Sequence, residues 1–155
     1  MNIELKNPNN AARYLLSRKD MSQKKLHKML YFSYLIYLTE NNSDAQNIND
    51  VLFENTFQAW VHGPVLREIY PYYAGYSYNE LSIANFNGEM TDKAKESLDY
   101  ILDVYGDYSA DQLEVLSHRD EAWRKKRIGL SAHELSKNLL ANEDMYSSSL
   151  ERFYE

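Results

Sequence analysis

The sequence predicts a mainly α fold: a single compact helical domain with a small β-hairpin or short β element around residues 51–62. Three observations carry that expectation. Only 5 Gly and 3 Pro punctuate 155 residues, which favours helices over a sandwich of many short strands. Apolar side chains recur at helical spacing along most of the chain. The stretch VLFENTFQAWVH at 51–62 is instead rich in β-branched and aromatic residues, with partial alternation through Phe57, Ala59 and Val61.

The elements follow in order. A first helix is expected over 8–18, with Asn7 as cap, Pro8 at the entry, and Ala11, Ala12, Leu15 and Leu16 at helical spacing. A longer helix begins at Ser22 or Asp20 and runs to Glu40. Its residues Leu26, Met29, Leu30, Ser33, Ile36 and Tyr37 form a core-facing stripe. Asn41, Asn42, Ser43 and Asp44 stop it. After the β element, Gly63 and Pro64 end the strand, and Pro64 opens a helix through Leu66, Ile69 and Tyr70. Residues 71–90 read as a Tyr-, Asn- and Ser-rich loop with a little strand at 83–86. Thr91 starts a helix carrying Ala94, Leu98, Ile101, Leu102 and Tyr105, and Gly106 stops it. Ser109 caps the next helix, with Gln112 placed for a capping box. A short helical turn follows at 120–127. Gly129 breaks it, Ser131 caps another helix through Leu135, Leu139 and Leu140, and 142–155 reads as a polar, frayed tail. No repeat or linker divides the chain. One domain over 1–155 is expected, its motif-bearing part at about 8–140.

Composition narrows the chemistry. With 17 Lys and Arg against 23 Asp and Glu, the formal charge is −6. The balance is +2 over residues 1–67 (8 basic, 6 acidic) and −8 over 68–155 (9 basic, 17 acidic). An acidic protein is poorly suited to non-specific nucleic-acid binding, which needs phosphates neutralised. With 0 Cys, disulfides, thiolate metal sites and Cys nucleophiles are excluded. No apolar run approaches the roughly 20 residues of a membrane span, and MNIELKNPNN lacks the basic-then-apolar order of a signal peptide. These point to a soluble cytoplasmic domain without a membrane partner. Tyr supplies 14 residues against 5 Phe and 2 Trp, so much of the apolar surface carries a hydroxyl that must find a partner or water.

Motifs for catalysis are missing. The 4 His, at 27, 62, 118 and 133, form no i, i+4 pair and no HExxH. There is no GxSxG elbow, Walker loop or GxGxxG. No catalytic residue, metal or cofactor is expected. Three other constellations stand out. Lys24, Lys28 and Tyr31 fall at i, i+4 and i+7, away from most of the apolar stripe. They read either as a solvated helix face or as a positive, aromatic-edged patch for an acidic partner. The run RKKR at 124–127 follows Trp123, but four consecutive helical residues fan out around the axis. At 59–64, AWVHGP sets Trp60 and His62 beside a Gly63-Pro64 joint, either a structural corner or a presented surface.

Taken together, KKLHKMLYF at 24–32, FQAWVHGPV at 57–65, Tyr105-Gly106, Ser109-Ala110, Leu113, Leu116-Ser117-His118 and Trp123 resemble the Panacea domain. This is the SocA-like antitoxin family, which includes phage-associated GepA-type proteins. Two departures are Ala122, where many members have Pro, and Met29, where Leu is usual. The resemblance implies a mostly helical antitoxin, encoded beside a toxin and often in prophages, that neutralises its cognate toxin by direct contact. The SocA type implies an alternative: an adaptor delivering toxin to a ClpXP-type protease, with a ClpX-type chaperone as second partner. A DNA-binding autoregulator is a further alternative. The candidate partner-binding residues are Lys24, Lys28, Tyr31, Trp60, His62, Gly63 and Pro64.

Overall fold

The structure, a computed structural model, describes residues 1–76 and 78–154. A short strand, β1 (Asn2–Ile3), precedes α1 (Asn9–Arg18). The Asn7 side chain accepts from the Asn9 N–H at 3.0 Å, and Pro8 sits at the entry, where a missing N–H costs nothing. Next come β2 (Met21–Ser22) and α2 (Gln23–Asn41). Ser22 Oγ accepts from the Lys25 N–H, satisfying one of the helix's orphan donors. At the other end the Asn41 and Asn42 amides donate to the carbonyls of Tyr37 and Leu38. The stop signal therefore works by side-chain capping.

Helix α2 is the axis of the fold, and every residue from Lys25 to Leu38 is buried. The sequence stripe accounted for one face only; neighbours close over all of them. Such a helix must be apolar all round or settle its polar groups internally. Three basic side chains, Lys25, His27 and Lys28, lie inside this stretch.

β3 (Asp50–Val51) pairs in parallel with β1. β4 (Phe57–Trp60) and β5 (Gly63–Leu66) form an antiparallel hairpin with Trp60 opposite Gly63, leaving Val61 and His62 as the turn. Pro64 thus continues a strand and does not open a helix. The hairpin's second arm supplies the apolar run that suggested one, and α3 (Tyr70–Tyr73) begins later, followed by a 3₁₀ turn at Ala74–Tyr76. β6 (Glu80–Leu81) pairs with β2. The expected strand at 83–86 is not formed; the Ile83 N–H donates to Leu16 O at the end of α1.

The second half begins as expected. α4 (Asp92–Tyr105) is capped by Thr91, and α5 (Ala110–His118) has a complete Ser109–Gln112 capping box. α6 (Glu121–Arg124) runs into a 3₁₀ turn at Lys125–Arg127. The helix expected from Ser131 to Leu140 is absent. Instead the segment lies extended along β4: Ala59 N–H donates to Asn138 O and Leu140 N–H to Phe57 O, both at 2.9 Å. Arg127 holds it there, donating to Glu134 O at 2.6 Å and Ser131 O at 3.2 Å, while also reaching Ala59 O at 2.7 Å.

The expected frayed tail is α7 (Asn142–Phe153), docked along α2. Its serines read as surface residues in the sequence, yet Ser148 and Ser149 are buried. Ser148 Oγ accepts from the Ala122 N–H at 3.2 Å, and Ser149 shares a 2.9 Å hydrogen bond with Thr39. The buried tyrosines resolve the compositional oddity in the same way. Tyr14, Tyr31, Tyr34, Tyr37 and Tyr73 donate to Asp99, Asp120, Asn142, Asp50 and Asn9. Each ring fills core volume while its hydroxyl reaches a polar group, near the boundary for all but Tyr31, whose acceptor Asp120 is itself buried. Among the described residues, no helix is long and apolar enough to cross a membrane.

Candidate functional site

The predicted basic patch does not exist as a surface. Lys28 is 1% exposed and Tyr31 is fully buried. Only Lys24 reaches the boundary, and it is neutralised there by Asp111 at 2.8 Å and Glu114 at 2.6 Å on α5. The side of α2 opposite the apolar stripe is covered by the hairpin and α5 rather than by water, which is the physical reason for the correction. The second basic run is dispersed too. Arg124 pairs with Glu121, Lys125 with Asp144, and Arg127 is buried over Trp123 at 5.4 Å.

Tyr31 belongs to an internal junction. Its hydroxyl donates to Asp120 Oδ2 at 2.7 Å. Arg152 from α7 donates to Asp120 Oδ1 and, at 2.8 Å, to Leu116 O, and its guanidinium lies over Phe32 at 4.9 Å. One buried carboxylate therefore joins α2, the α5–α6 turn and α7.

At the hairpin, the structure does bring the predicted corner together. Gly63 has φ +109°, and a Cβ there would meet Lys28 Cε and Ser117 Oγ, each at 2.7 Å. Glycine is required on both counts. Gly63 and Pro64 are buried, whereas Trp60 is half-buried and His62 exposed. Trp60 packs on Tyr70 with ring centroids 4.8 Å apart, and its Nε1 donates to Gln58 Oε1 at 2.8 Å. Beneath the turn, Trp123 Nε1 donates to Trp60 O at 2.8 Å and stacks on His118 at 4.1 Å. His62 Nδ1 lies 3.1 Å from Glu114 Oε2, the carboxylate that also holds Lys24.

Two open clefts flank this corner. One, of about 450 Å³, lies between the hairpin and the extended segment and includes Val61, Val65 and Leu135. The other, of about 330 Å³, lies between the hairpin, α2 and α3 and includes Trp60, Tyr70 and Tyr78, with His27 and Lys28 among its lining residues. Burial pushes the Lys28 ammonium down to about 7, and burial, with the Lys28 charge beside it, pushes His27 down to about 3. His27 Nδ1 accepts from the Leu66 N–H at 3.1 Å. The neutral ring therefore carries its proton on Nε2.

Sequence reasoning missed His27, Tyr70, Tyr78 and Leu135 as parts of this surface. Only His27 had a legible signal, standing between Leu26 and Lys28 inside the KKLHK run. Leu135 is placed by the extended segment, and Tyr70 and Tyr78 by α3 and the turn that follows it, whose positions against the hairpin have no local signature.

The architecture is that of a small helical module whose concave surfaces are walled by aromatic and aliphatic side chains around a rigid hairpin apex. The chain belongs to the SocA-like antitoxin family: the family description "Antitoxin SocA-like, Panacea domain" matches residues 26–124. That match spans α2 through α6 and includes the hairpin, both clefts' aromatic walls and the Asp120 side of the junction. No curated protein and no solved structure matches the chain.

Proposed function

We propose that this protein is the antitoxin of a phage- or prophage-associated toxin–antitoxin pair and neutralises a cognate toxin by direct protein–protein contact. Membership of the SocA-like antitoxin family supports the role. The observation that carries the surface is the hairpin apex, where Trp60 and His62 stand between two clefts rimmed by exposed apolar groups. Leu135 and Tyr78 are each 88% exposed, with Tyr72 at 60% and Tyr76 at 52% nearby in sequence. Tyrosine suits such a surface, giving large contact area with few rotatable bonds. Lys24 contributes at the rim, Gly63 and Pro64 hold the turn, Lys28 packs beneath it, and Tyr31 supports α2 from the Asp120 junction. Binding, not catalysis, is the activity.

The test is rescue of cells expressing the toxin by a double variant, His62→Ala with Leu135→Glu. Both side chains lie outside the core, so the melting temperature should stay near wild type, while rescue is lost. Full rescue by the folded variant overturns this surface. Toxin abundance should stay high during rescue, because sequestration leaves the protein intact; toxin loss dependent on this chain would instead establish delivery to a protease.

A further inference from the structure

The cleft between α2, α3 and the hairpin contains a feature that toxin docking on exposed side chains does not use. Lys28 is 1% exposed and lines the cleft; it forms none of the ion pairs found among the described residues, and only the more distant Glu114 charge favours its ammonium. Its end lies so close to Gly63 that a Cβ there would meet Lys28 Cε at 2.7 Å and Nζ at 3.3 Å, which places the ammonium at the base of the hairpin turn. His27 lines the same space, and its Nε2 is a buried donor without a partner among the described residues. A buried donor left unpaired is costly, and a buried cation more so. A buried ammonium and an unpaired imidazole N–H lining one cleft are not explained by packing.

Around Lys28 the titratable neighbours are Lys24, Glu114, His62 and His118. Glu114 is taken by Lys24 at 2.6 Å and His62 at 3.1 Å, so the nearest carboxylate is committed elsewhere. His118 is stacked on Trp123, and its buried Nε2 has no hydrogen-bond partner among the described residues. What the cleft lacks is an uncommitted carboxylate. One cation and one neutral N–H match the two oxygens of a single carboxylate better than a phosphate, which would bring a second charge. The cleft of about 330 Å³ has Trp60 and Tyr70, packed on each other, as one continuous aromatic wall, and leaves room for an apolar body attached to that carboxylate.

We propose that this cleft is a carboxylate-binding site, with Lys28 and His27 as donors and Trp60 and Tyr70 as walls, for a ligand carrying an apolar body. The carboxylate comes either from a free organic acid or from an acidic side chain of a bound protein. The inference does not depend on toxin binding, and its test uses no toxin.

Benzoate and its neutral isostere benzamide are titrated into the full chain at matched ionic strength, following the Lys28 ¹³Cε resonance and its pH titration. Benzoate should saturate the shift and raise the Lys28 titration point, because an adjacent anion favours the ammonium. Benzamide should bind at least about tenfold more weakly, as expected for loss of a charge-assisted hydrogen bond. Lys28→Met should lose benzoate binding and remain folded. A capped Leu-Glu-Leu peptide, set against its Leu-Gln-Leu counterpart, identifies the source: tighter binding than benzoate indicates a protein side chain, weaker binding a free acid. Equal responses to benzoate and benzamide, or benzoate binding retained in Lys28→Met, overturn the proposal.

Discussion

Replacing Lys28 by Met should stabilise the protein and flatten its response to pH. In the folded chain the Lys28 ammonium titrates at about 7, against 10.5 when unfolded. Between those values the unfolded state binds the extra proton, so stability rises with pH across that window. At about 1.4 kcal/mol per pH unit, holding this amine where its ammonium form is disfavoured costs on the order of 4 kcal/mol at pH 7. From pH 7 to 9 wild-type stability should therefore increase by about 2 kcal/mol. Lys25, also lowered by burial, contributes in the same direction. Tyr31, Tyr34 and Tyr37 are raised by burial and act oppositely, but only as the unfolded tyrosines ionise near 10, which sets the upper limit of the window. Urea unfolding followed by tryptophan fluorescence at half-unit pH steps measures the slope. Lys28→Met should remove most of it and be more stable at pH 7 by up to about 4 kcal/mol, the cost of burying this amine at that pH. A wild-type stability that is flat or falling from pH 7 to 9, or a Met variant with the same slope, would refute the reasoning.

Other expectations are simpler. Asp120→Ala leaves Arg152 and Tyr31 without their shared acceptor and should cost about 3–5 kcal/mol; a change below about 1 kcal/mol in urea unfolding contradicts the junction. Gly63→Ala must both adopt φ +109° and displace Lys28 and Ser117, so its melting temperature should drop while a substitution at exposed Gly75 should not. Truncation after Ala141 exposes the α7 side of α2, and circular dichroism should show loss of cooperative unfolding rather than a slightly shorter helix count. Arg127→Ala should raise hydrogen exchange at Ala59 and Leu140, whose amides pair across the extended segment, before it affects α2.

Much of the framework was legible because helix ends have local chemistry. Asn7, Ser22, Thr91 and Ser109 each act at the predicted terminus through a side-chain oxygen and a nearby N–H. What was illegible depended on partners far away in sequence. Ser131, Leu135, Leu139 and Leu140 have helical spacing, but Arg127 takes the Ser131 and Glu134 carbonyls and β4 takes the Leu140 N–H. The serines of α7 look solvated until Ala122 and Thr39 meet them. Lys28 and Tyr31 illustrate the same limit at the candidate site. Their i, i+3 spacing places them beside each other on α2, but not whether water or the hairpin lies above them. The family motif was readable, while the function of each residue within it was not: Lys28 and Tyr31 are internal, and Trp60 with His62 forms the presented edge.

The Asp120 junction bears on how the molecule opens. Tyr31 and Asp120 are 89 residues apart, and Arg152 reaches Asp120 from a further 32 along the chain. Fraying of the last turn of α7 therefore withdraws a countercharge from the interior, so partial opening there is penalised electrostatically as well as by lost packing. The amides of α2 and the last turn of α7 should consequently exchange in one cooperative unit, with similar opening free energies. A terminal helix that would ordinarily be the loosest part of a small domain becomes a latch on its most deeply buried one.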